Sequence, residues 1–180
     1  MASWREIDFR YDWVYSVLSA LKSGFDEIEK RGQEQEWFDG LWQLESSEVI
    51  FGIALVTVQT YIEGTAADII KMRKSSGKPK IALPEYYEDD PNPLPSGINR
   101  VKLIRQAANY HKHHDLWNEN DWGKRNNDTD LLKSIGINEK TEFPCYETTR
   151  ILLGDDNSTK LEKLLLIASE WREHVISKYK

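Results

Sequence analysis

Three of the four histidines in this 180-residue chain fall within one stretch, Arg105-Gln-Ala-Ala-Asn-Tyr-His-Lys-His-His-Asp-Leu-Trp117. The apolar spacing of Ile98, Val101, Ile104 and Ala108, with Tyr110, predicts a helix through it, over 98–117. At ~100° per residue that helix carries two polar stripes. Arg105, Asn109 and Lys112 share the first, at intervals of four and three, with His113 at its edge. These residue types suit RNA cleavage without a metal. A neutral imidazole removes the 2′-hydroxyl proton, an arginine or lysine stabilises charge growing on the phosphate, and an asparagine orients a base, a phosphate or the histidine. Arg100 and Lys102 add cations along the same helix, so Arg100, Lys102 and Lys112 are candidate RNA-binding residues. The second stripe, His111, His114 and Asp115, has spacings of three and four that suit a metal. One helix leaves such a shell incomplete, and Glu170 and His174 are the conceivable further ligands. A third reading is a solvated helix end with Tyr110 and Trp117 packing inward.

Little else in the chain promises chemistry. There is no glycine-rich phosphate loop, no CxxC pair, no HExxH and no Gly-x-Ser-x-Gly, so no cofactor is expected. The lone Cys145 follows Pro144 with no activating neighbour and reads as an inert thiol. Glu170 and His174 read first as a helix-supporting pair. The Lys71–Lys80 run reads first as a solvated helix end, with a phosphate patch as the alternative.

The elements that must position the stretch are helical almost throughout. Ile7, Tyr11, Val14, Tyr15, Leu18, Leu21, Phe25 and Ile28 form one stripe of a long first helix. Gly40-Leu41-Trp42 reads as a connection. A second helix is expected from Ser46 or Ser47 to about Lys74, apolar nearly all round between Val49 and Val58 and therefore central. Five prolines mark 75–97 as an irregular insert. A short helix is expected over 129–135, closed by Gly136, while 138–157 is ambiguous, with a short extended piece over Tyr146–Leu153 as one reading. Thr159-Lys-Leu-Glu162 has the form of a capping box for a last helix bearing Leu161, Leu164, Leu165, Ala168, Trp171 and Val175. The expected fold is all-α, a single domain over 1–180 arranged as a four-helix up-and-down bundle with one extra short helix.

Composition bounds the setting. Twenty-four Lys and Arg against 30 Asp and Glu give a net charge of −6, which argues against indiscriminate nucleic-acid coating but allows a local basic face. A single cysteine excludes an internal disulfide, the longest apolar run is short for a bilayer, and residues 1–6 lack the pattern of a secretion signal. A cytoplasmic protein with no membrane association is the expectation. Of the seven tryptophans, Trp13 and Trp171 lie near apolar stripes and are expected in the core. Trp37, Trp42, Trp117 and Trp122 fall in connecting segments or at a helix end, where they suit packing of loops or of a partner.

With these residues laid out, the 98–117 helix resembles the signature of the HEPN superfamily (higher eukaryotes and prokaryotes nucleotide-binding domains). In that family an arginine is followed, after four to six residues, by a histidine on a late helix, often with a polar residue directly after the arginine. Arg105-Gln106-Ala-Ala-Asn-Tyr-His111 fits with five intervening residues, and Gln106 is the polar follower. The order of a long helix, a very apolar helix, an irregular insert, the motif helix and a final helix is similar too. A second register places Asn109-Tyr-His-Lys-His113 on the motif, with Ala108 in the arginine position. The resemblance implies a metal-independent endoribonuclease or RNA-binding protein of a toxin–antitoxin or defence system. In it His111 is the general base or acid and Arg105 the phosphate stabiliser, supported by Asn109, Lys112 and His113. It also implies a homodimer with an antitoxin or other protein partner. Two further expectations stay open: a non-catalytic interaction module of a defence or toxin–antitoxin pair, and a metal-dependent hydrolase on the His111, His114 and Asp115 face.

Overall fold

The computed structural model describes residues 8–34, 40–114, 122 and 129–179, and every regular element among them is helical. In chain order these are α1 (Tyr11–Glu34), α2 (Gly40–Ser75), α3 (Leu83–Glu88), α4 (Arg100–His113), α5 (Asp130–Ser134), α6 (Pro144–Leu153) and α7 (Glu162–Tyr179), with a 3-10 turn at Asp155–Asn157.

Helix α2 is the axis of the packing, in contact with α1, α3, α4, α6 and α7. Its sequence explains this. Phe51, Leu55, Val58, Ile62, Ala66 and Ile69 recur at three and four residues and are all buried. Ala54, Tyr61 and Thr65 widen the buried stripe until neighbours fit on several sides. By length and apolarity α2 is the one helix among the described residues that could cross a bilayer; much of its apolar window is buried against the other helices. It begins at Gly40, earlier than the expected Ser46, so Gly40-Leu41-Trp42 is helical rather than a connection. Ser47, expected near the cap, instead lies inside the helix and returns its hydroxyl to the Gln43 carbonyl at 2.6 Å.

Helix α1 buries Val14, Leu18 and Phe25 as its stripe predicts, but Tyr15 faces outward; Ile7 lies outside the described residues. Phe25, Phe51 and Tyr146 make a run of edge-to-face rings at 5.7 and 5.2 Å that joins α1, α2 and α6. The segment 146–153, ambiguous in sequence with an extended piece as one reading, is part of α6. Pro144 starts that helix where no N–H is needed, and the Glu48 carboxylate of α2 accepts from the first-turn backbone N–H groups of Cys145 (2.7 Å) and Tyr146 (3.0 Å). A distant residue thus completes a helix start that the local sequence does not encode. Gly154, at φ +78°, ends the helix.

The proline-rich insert also holds a helix. Pro84 sits in the first turn of α3, and Tyr86 and Tyr87 turn into the core. Trp171 of α7 donates its indole N–H to the Tyr86 carbonyl at 2.9 Å, and the Asn99 amide donates to the Tyr87 carbonyl at 2.8 Å. Asp90 and Arg100 close the segment against α4. Helix α7 buries Leu164, Leu165, Ala168, Trp171 and Val175 as expected, and Leu161 is buried just before it. It starts at Glu162 itself, after the 3-10 turn at 155–157, so Glu162 stands at the first position rather than the third of a capping box.

Candidate functional site

Helix α4 is fixed at its start by the Asn99 side chain, which accepts from the Lys102 N–H at 2.8 Å. Val101, Leu103, Ile104, Ala107 and Ala108 bury its inner side. Lys112 and His113 are exposed, and Lys102, Arg105 and Asn109 are half-buried. This divides the candidate residues into three groups.

Arg105 and Asn109 lie along the seam with α2 and meet two polar residues there. Gln59, buried, donates from Nε2 to Asn109 Oδ1 at 2.9 Å and to Glu63 Oε1 at 3.1 Å. Glu63 Oε1 also accepts from an Arg105 Nη at 3.5 Å, and the guanidinium carbon sits 3.8 Å from the centroid of the Tyr87 ring. Burial raises the Tyr87 hydroxyl pKa, the Arg105 charge lowers it, and the net shift is upward. The Arg105–Glu63 contact is long and Glu63 is nearly half exposed, the type of ion pair that contributes little to stability. The Tyr87 ring is what fixes the plane of the guanidinium.

His111 takes another direction. Its ring lies directly over Gly52 of α2, in space that a Cβ at position 52 would fill. The His111 and His114 rings stack at 5.9 Å, and His114 stacks on Tyr110 at 5.0 Å. Tyr110 also meets Trp122 edge-to-face at 5.1 Å. One α2 turn away, burial raises the Glu48 carboxyl pKa, and the α6 N–H groups and the His114 charge pull against that rise without reversing it. Burial and the neighbouring Glu48 push the Cys145 thiol well up, in keeping with an inert core cysteine.

Two of the remaining candidate cations, Arg100 and Lys102, are engaged. Arg100, largely buried, pairs with Asp90 at 2.9 Å and Glu170 at 3.2 Å, while Lys102 pairs with Glu88 at 2.5 Å. Gln106 accepts from the Leu132 N–H at 2.9 Å and thereby caps α5. Asp115, Trp37 and Trp117 lie outside the described residues, and among the described residues no group of three or more His, Cys, Asp and Glu is arranged to hold a metal. Glu170 is committed to Arg100 and to the Asn92 amide (3.2 Å). Sequence reasoning missed Gln59, Glu63 and Tyr87. The signal for the first two was present, since they are polar residues four apart directly after the apolar stretch Val49–Val58. Compared with family models, with curated proteins and with solved structures, the chain matches none.

Proposed function

We propose that this is a HEPN-like, metal-independent RNA-binding protein that cleaves single-stranded RNA on the outer side of α4, with the four long helices forming an up-and-down bundle. The observation that carries the reading is the division of the histidines. His113 is exposed on the helix that presents Arg105, Asn109 and Lys112, whereas His111 is turned onto Gly52. His113 therefore suits the acid–base role better than His111. Neutral His113 removes the 2′-hydroxyl proton and the 2′-oxygen attacks phosphorus. The 5′-oxygen departs with a proton from solvent, leaving a 2′,3′-cyclic phosphate and a 5′-hydroxyl. Arg105 stabilises the phosphate by exchanging Glu63 for it while Tyr87 keeps its orientation, and Lys112 adds a second cation. A homodimer and a protein partner of antitoxin type accompany this reading through the family likeness alone, as does a cytoplasmic location.

The test is incubation of the full chain with end-labelled single-stranded RNA, with and without chelator. Cleavage that survives chelator and falls by about a hundredfold or more in His113→Ala, with a smaller loss in His111→Ala, supports the proposal. Loss with chelator overturns metal independence and favours the hydrolase expectation. RNA that binds but is never cut restricts the reading to an RNA-binding module.

A further inference from the structure

We propose that the Gln59, Glu63 and Asn109 seam beside Arg105 is a nucleobase-reading subsite, and that it selects an unpaired guanine. The inference rests on the RNA reading above and adds the base. Gln59 spends both amide protons inside the seam, on Asn109 Oδ1 at 2.9 Å and Glu63 Oε1 at 3.1 Å. Those bonds decide which atoms are left over. Asn109 has its amide NH2 to donate, and Glu63, nearly half exposed, has Oε2 to accept. Because both acceptor oxygens bond one nitrogen, they are no more than 6.0 Å apart, the sum of the two bonds. The leftover amide donor and carboxylate acceptor sit on those same two groups, and one donor beside one acceptor is the combination that reads the Watson–Crick edge of a base.

Among bases, guanine fits best. Its O6 takes the Asn109 amide, and its N1–H and N2–H both point toward the one carboxylate. Adenine and uracil each offer a carboxylate only one edge donor next to an acceptor, and cytosine places its acceptor ring nitrogen beside Glu63. Arg105 and Lys112 flank the seam and can take the adjoining phosphates. Buried Gln59 fixes the two readers in place, so their orientation is set before RNA arrives.

The experiment measures binding of the intact protein, by fluorescence anisotropy, to labelled pentauridine RNA and to versions with a central guanosine, adenosine or inosine. Guanosine is expected to bind about tenfold more tightly than adenosine or uridine. Inosine, lacking the 2-amino group, loses about fivefold relative to guanosine with no change in the protein. In Glu63→Gln the guanosine-to-uridine ratio falls to within about twofold. Equal binding of all four RNAs overturns the guanine assignment and leaves the RNA reading standing. Binding of none overturns both. A guanosine preference that persists in Glu63→Gln, or is undiminished with inosine, also overturns the assignment.

Discussion

His111 and His113 are two residues apart, yet their surroundings differ. On a helix two residues separate side chains by ~200°, so one ring meets α2 and the other meets solvent. Gly52 permits the first arrangement by leaving room for the imidazole. Gly52→Ala gains helix propensity of about 1 kcal/mol but forces the ring to move at a cost of about 1–3 kcal/mol. The net expectation is a lower melting temperature and a shifted His111 ring resonance by NMR, with the His113 resonance unmoved. The two tryptophans expected in the core give a second contrast. Trp171 is fully buried, whereas Trp13 is 70% exposed, a correction to its expected place. In urea titrations Trp171→Ala should cost about 3–5 kcal/mol, and Trp13→Ser should stay within about 0.5 kcal/mol of the parent. The sequence could not separate them because position 13 neighbours the apolar stripe of α1 without lying on it; Val14, Leu18 and Phe25 hold the stripe. Arg105, Asn109 and Lys112 were legible as one face from spacing alone. Their partners across the seam were not, since no local pattern tells which face of α2 meets α4.

At the scale of elements, the long helices were legible because their apolar period extends over several turns. The short ones depended on distant groups. Helix α6 begins on the Glu48 carboxylate of another helix, and α3 is held in the proline-rich insert by Asn99, Arg100 and Trp171. The Asp90–Arg100 contact closes that insert. Burial raises the Asp90 pKa, but bonding to Arg100 and to two backbone N–H groups outweighs it, so the carboxyl sits below its usual 3.8. A lowered acid contributes stability that is fully present above the unfolded value and is lost as pH falls through the folded one. Asp90→Ala leaves a largely buried guanidinium with only Glu170 and should destabilise by about 3–5 kcal/mol at neutral pH. The difference from the parent should shrink below pH 3.8, as read from urea midpoints across an acid series. Glu48→Ala removes both N–H acceptors at the start of α6 and should cost about 1–2 kcal/mol.

For the whole molecule, the all-helical class followed from periodicity, and a net charge of −6 said little about where RNA could bind. Pairing is more informative than the charge total. Asp90 and Glu170 engage Arg100, and Glu88 engages Lys102, so among the described cations of α4 those offered to a ligand are Lys112 and Arg105. Two phosphate contacts imply that RNA affinity falls with salt at a log–log slope of about −1.4, and Lys112→Ala should reduce that slope by about 0.7. The most direct measurement compares RNA cleavage by the parent chain, His113→Ala and His111→Ala in the presence of chelator. Cleavage should persist in the parent and should fall far more in His113→Ala than in His111→Ala. If His111→Ala abolishes cleavage while His113→Ala retains it, or if the parent neither binds nor cuts RNA, then the outer side of α4 is not the working surface assigned to it.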